Sequence, residues 1–132
     1  MRVQKTLAAV GFAVVFAVLG GLVSAHHSTA GYDNKKTITT KGTVVEFRWK
    51  NPHIILIWDA KDESGKVVRW TGEMSSPLTN TGLGLTRDSL KTGDEVTVAI
   101  HPGPNDQALV VSIADAQGKF VLKPERPDRQ GN

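Results

Sequence analysis

The sequence predicts an all-β domain, and three observations carry that expectation. Between residues 37 and 122, apolar and polar residues alternate over several short stretches, the period of a half-buried strand rather than of a helix. Segments rich in Gly, Asp, Asn and Pro separate those stretches at short intervals. One segment alone, 75–90, interrupts the pattern with a helix-start signal.

Taken in order, residues 37–49 form the first expected strand, with Val45, Phe47 and Trp49 on one face and Glu46 and Arg48 on the other. Lys50-Asn51-Pro52 ends it, because proline cannot donate to a ladder and disfavours helix before itself. Residues 53–60 are apolar on both faces, as suits a strand covered on both sides. Asp62-Glu63-Ser64-Gly65 is a turn, and 66–74 returns as a third strand with Val68 and Trp70 inward. In 75–90, Ser75-Ser76-Pro77 caps and starts a short helix, and Thr86 is placed to cap a second helical turn. Strands follow at 95–101, 107–114 and, briefly, 119–122. With the brief last strand as a closing addition, three strands, a short helix and two further strands match a five-stranded OB-like Greek-key barrel, which carries its helix between strands three and four. An open β-sandwich is the alternative.

Residues 1–25 have a different character. Arg2 and Lys5 precede a charge-free run from Leu7 to Val23, and Val23 and Ala25 frame a small-residue cleavage site. This is the pattern of a secretory signal peptide cut after Ala25. An uncleaved anchor is the rival, because about 17 apolar residues is the lower edge of a membrane span. Cleavage takes Arg2 and Lys5 from the 16 basic residues and leaves the 13 acidic ones untouched, so the formal charge of +3 falls to +1. With no clustered Lys/Arg stripe, a nucleic-acid partner is not expected. Cysteine is absent, which excludes disulfides, thiolate metal sites and cysteine catalysis. The expected organisation is a signal peptide at 1–25, an N-terminal arm at 26–36, a barrel domain at 37–123 and a disordered tail at 124–132. The mature protein is expected to be periplasmic or secreted, monomeric and, once cut, away from the membrane.

Four histidines survive the cut: His26, His27, His53 and His101. Cleavage after Ala25 makes His26 the N-terminal residue. Its α-amine, with a pKa of about 7.7–8.0, and the δ-nitrogen of its own ring can close a chelate on a metal. One further histidine completes a T-shaped site of three nitrogens, which suits Cu(II). His53 is the candidate third ligand and His27 an auxiliary one, provided the arm folds back over the barrel. The bland alternatives are a solvated His-His pair, a His53 that hydrogen-bonds backbone at a strand start, and an exposed His101 beside Pro102. Trp49, Trp58 and Trp70 lie on neighbouring strands. Core packing accounts for them, and a stacking face built from Trp49, Trp58 and Arg48 is the functional alternative. No serine has a nucleophile-elbow setting, and Asp59, Asp62 and Glu63 bunch at a turn as solvated acids do.

Ordered motifs run the length of the mature chain: Ala25-His26-His27-Ser28, Lys41-Gly42-Thr43-Val44, Trp49-Lys50-Asn51-Pro52-His53, Trp70 with Glu73-Met74-Ser75-Ser76-Pro77, and Thr86 to Asp94. In these the chain resembles an uncharacterised family of small exported bacterial proteins, a domain of unknown function. Relatives tend to have Gly-Trp before the Thr-Arg pair, where this chain has Gly84-Leu85. The resemblance implies an exported single domain and singles out the same histidines, without supplying a substrate. The leading expectation is an exported binding or accessory protein, not an enzyme, holding copper at His26, His27 and His53. The alternative is an OB-like module that binds a polymer or protein partner through Arg48, Trp49 and Trp58 without metal. A copper-dependent oxidase ranks third.

Overall fold

A computed structural model describes residues 31–124. Six strands and one helix follow one another: β1 (Ile38–Arg48), β2 (Ile55–Lys61), β3 (Val67–Glu73), α1 (Pro77–Gly82), β4 (Glu95–Pro102), β5 (Gln107–Asp115) and β6 (Phe120–Leu122). The sheet order is β3-β2-β1-β4-β5-β6, and a parallel β3–β5 pairing closes the first five strands into a barrel. This is the OB-like architecture expected from the sequence, and closure removes the sandwich alternative. Among the described residues no helix is long and apolar enough to cross a membrane.

At two corners of the barrel a single glycine serves two neighbouring strands at once. The first half of β1 pairs with β4 and the second half with β2, and Gly42 faces both Ala60 and Val96. In the same way Gly72 of β3 faces both Leu56 of β2 and Ala108 of β5. Both corners are glycine for a steric reason. A Cβ at 42 would run into the carbonyl of Asp59, and one at 72 would lie 2.5 Å from Val110 Cγ2 and 2.8 Å from Trp58 Cζ3. Glycine is the residue that lets backbones approach this closely.

The β1–β2 register shifts between Val44 and Glu46, so Val45 is the bulged residue. Val44 is therefore buried and Val45 only half-buried, which corrects the expected Val45-Phe47-Trp49 face; Phe47 and Trp49 still pack against the core. In β2 and the residue before it, Ile54, Leu56, Trp58 and Ala60 point inward, and Ile55, Ile57 and Asp59 are half-buried on the outer side. Strict alternation thus replaces the strand apolar on both faces.

Two hairpin turns use the same chemistry. Asp62 and Asp115 each accept backbone N–H bonds on Oδ1, from Ser64 and Lys66 in one turn and from Gln117 and Lys119 in the other. Gly65 and Gly118 supply the positive φ, 84° and 81°, that both turns require. In α1, Ser76 is the N-cap, accepting from the Thr79 N–H, and Pro77 opens the first turn as expected. The helix itself buries only Asn80, and Leu78 is exposed. Instead the flanking chain closes the barrel end with Met74, Leu85 and Leu90. Thr86 does not cap a second helical turn: its N–H donates to Ser89 Oγ, and the segment is one hydrogen-bonded turn.

Candidate functional site

His53 precedes β2, just after the cis Asn51–Pro52 peptide, on the connection between β1 and β2. The β2–β3 ladder runs one step past its strands, with Met74 N–H donating to Ile54 O and Ile54 N–H to Ser75 O. Ile55 lies opposite Glu73. With a side-chain period of two, His53 shares a face with Ile55, so Glu73 is its diagonal cross-strand neighbour. Their side chains meet. His53 Nδ1 donates to the Met74 carbonyl at 3.1 Å and faces Glu73 Oε1 at the same distance. A carbonyl can only accept, so Nδ1 carries a proton in this contact.

The second oxygen of Glu73 reaches the arm. Tyr32 Oη–H donates to Glu73 Oε2 at 3.0 Å. The Tyr32 ring lies over Gly103 on the β4–β5 loop, where a Cβ would come within 2.8 Å of Tyr32 Cδ1. Asp33 N–H donates to Pro102 O at 2.9 Å, and His101 Nδ1–H donates to Lys36 O at 2.9 Å. Residues 32–36 are thus strapped across the end of β4, and the arm, within the described residues, packs on the barrel. Burial first, then the hydrogen bond to Glu73 and the charge of that carboxylate, raise the Tyr32 phenol above its ordinary pKa.

The expected residues are therefore distributed as follows. His53 sits in a polar cluster with Glu73 and Tyr32, and His101 is an anchor for the arm. His26, His27 and the cut after Ala25 lie outside the described residues. Among the described residues there is no group of three or more His, Cys, Asp or Glu side chains that would hold a metal ion by themselves. Trp58 is not a ligand surface, which corrects that assignment. It is fully buried, donates from Nε1 to Thr40 Oγ1 at 2.9 Å and stacks on Trp70 at 6.2 Å. Its inward register in β2, opposite Trp70, puts the indole in the barrel interior. Trp70 is half-buried, and so is Trp49, tilted against Phe47 at 5.9 Å. Arg48 is exposed, with its guanidinium already forked onto Glu46 at 2.6 and 2.7 Å. Leu85 is a fully buried core residue.

Tyr32 and Glu73 were not singled out as site residues by patterning. Glu73 stood in the Glu-x-x-Ser-Pro motif, the only signal that could have found it. A second feature, an open groove of about 630 Å³, crosses the far end of β2 between Lys41, Thr43, Asp59, Lys61, Glu95 and Thr97. Asp59 there is held by Arg69 through two bonds of 2.7 and 2.8 Å, and the lining mixes both signs of charge.

The profile of a family of unknown function (DUF6152) matches residues 14–111. The chain belongs to this family. No curated protein matches it. Among solved structures it is similar to the mitochondrial single-stranded DNA binding protein Rim1 from S. cerevisiae, with a TM-score of 0.46 and 10% identity over 67% of this chain and 95% of that one. That likeness is too distant to bear on what this chain binds.

Proposed function

We propose that this member of a family of unknown function is an exported binding protein that holds copper at its mature N-terminus, with His53 as the ligand from the barrel. What supports the reading is the docking of the arm: Tyr32 is hydrogen-bonded to the same carboxylate that faces His53. His27 is five residues before Tyr32. An extended chain spans at most about 3.3–3.6 Å per residue, so a few residues bring the N-terminal amine back to an anchor already beside His53. In this reading the amine and the Nδ1 of His26 form the chelate, His53 supplies the third nitrogen through Nε2, and His27 is auxiliary. Three nitrogens in a T suit Cu(II), which favours tetragonal nitrogen ligation. The role is binding and carriage rather than catalysis.

Periplasmic or secreted export through residues 1–25 belongs to the same proposal, because the brace needs the cut. The alternative module reading keeps only Trp49 and an Arg48 already engaged by Glu46, since Trp58 is buried. The test is a Cu(II) titration of the secreted, mass-verified protein, read by electron paramagnetic resonance. The controls are a form with one extra alanine ahead of His26 and the His53→Ala variant. Tight one-to-one binding with a three-nitrogen signature, lost in both controls, is the expected result. Weak binding indifferent to both changes refutes the copper site and leaves the module reading to a search for a partner.

A further inference from the structure

We infer that Glu73 is the positioning residue of this site: its carboxylate, shared between the Tyr32 hydroxyl and the His53 ring, couples docking of the arm to the orientation of His53. This rests on the reading of His53 as a ligand only for its purpose. The coupling is a property of the protein itself.

Three observations carry it. First, the carboxylate is bridged, one oxygen to each partner: Oε2 accepts from Tyr32 and Oε1 faces His53 Nδ1. The carboxylate accepts the Tyr32 bond on one oxygen, a charge-assisted bond stronger than a neutral one, while the other oxygen lies beside the Nδ1–H that donates to Met74 O and attracts that side of the ring electrostatically. Second, Glu73 is held in place by its backbone. It ends β3, pairs with Ile55 on one side and Leu109 on the other, and so cannot follow either partner if that partner moves. Third, the Tyr32 seat is specific, because Gly103 leaves room for the ring where any Cβ would strike it. The Met74 carbonyl also accepts from His53 Nδ1. It fixes the tautomer without sensing the arm, whereas Glu73 contacts both. A carboxylate behind the Nδ1–H of a ligand histidine fixes the ring and raises the basicity of its other nitrogen. Here such a carboxylate is also the latch of the segment that would carry the remaining ligands. Docking and orientation therefore occur together.

The test uses the metal-free secreted protein, so it does not depend on copper binding. The variants are Tyr32→Phe, Glu73→Gln and Gly103→Ala, the last of which unseats Tyr32 without altering either hydrogen-bonding partner. Two readouts are followed by NMR: hydrogen exchange of the Asp33 amide, which is bonded to Pro102 O, and the ¹⁵N shifts of His53. All three variants are expected to speed Asp33 exchange by about tenfold, the worth of one such hydrogen bond, and to change the His53 ring shifts in the same sense. His53 shifts unchanged in Tyr32→Phe and Gly103→Ala overturn the coupling, and so does Asp33 exchange unchanged in Glu73→Gln. Copper titration of the same variants separates the two ideas. No binding by the wild type refutes the copper site and leaves the coupling to the metal-free data. Tight binding by the wild type together with unchanged metal-free readouts in the variants refutes the coupling and leaves the site.

Discussion

Gly72→Ala tests the barrel where it closes. The added Cβ would lie 2.5 Å from Val110 Cγ2, 2.8 Å from Trp58 Cζ3 and 3.2 Å from Trp58 Cη2. Carbon atoms pack best at about 3.5–4.0 Å, so the closest contact is about 1 Å too short. Neither neighbour yields easily. The Trp58 indole is fully buried, bonded to Thr40 and stacked on Trp70, and Val110 is a stiff β-branched residue at the core. Overpacking of this kind costs about 1–3 kcal/mol, and the reduced freedom of the unfolded chain returns about 0.4–1 kcal/mol. The net expectation is a loss of about 1–2 kcal/mol, which at about 4–8 °C per kcal/mol lowers the Tm by roughly 5–15 °C. Urea denaturation followed by tryptophan fluorescence should show a lower midpoint with an unchanged slope. Val110→Ala removes the closest obstacle, so the double variant should be at least about 1 kcal/mol more stable than the sum of the single changes. A midpoint that stays or rises in Gly72→Ala, or strict additivity in the cycle, refutes the packing argument and with it the placement of Trp58.

Two further outcomes follow from single side chains. Thr40→Val should cost about 1–3 kcal/mol because it strands the buried Trp58 Nε1–H, and Thr40→Ser, which keeps the acceptor, should recover most of the loss; equal stability of the two variants in urea would show that the bond contributes nothing. The Asp62 carboxyl is held below its ordinary value chiefly by the Ser64 hydroxyl, with the Lys66 and Ser64 amides adding to it. A depressed folded-state pKa stabilises the fold above the ordinary carboxylate value of 3.8 and loses that contribution as pH falls through the lower folded value. Wild type should thus be more stable than Asp62→Asn at pH 6, and the gap should close toward pH 3. A gap independent of pH would mean that the turn does not use the charge.

How much of this was legible depends on the distance over which each feature is decided. The strands were readable because alternation is a local property of consecutive residues, and the helix start because Ser76 and Pro77 act on their own turn. The Asp62-x-x-Gly65-Lys66 turn was readable for the same reason, Asp and Gly supplying the acceptor and the positive φ within five residues. The element order then left few topologies, and the OB-like one was among them. Val44 rather than Val45 faces the core because the bulge exists only against β2, a strand the local pattern of β1 does not see. Trp58 and Trp70 alternate equally well in their own strands, and closure decides which indole is enclosed.

The same division runs through the candidate site. Sequence alone supplied the proposed ligands: an absence of cysteine, four histidines beyond the apolar segment, and a junction that makes one of them N-terminal if it is cut. Only the tertiary structure decided that Glu73 meets both His53 and Tyr32, the latter 41 residues before it in the chain. Hydrogen-bond partners in a barrel are chosen by strand register and by where loops converge at one end. Neither is encoded in the neighbourhood of any one residue, so residue types can announce a chemistry while the fold alone assigns the partners that orient it.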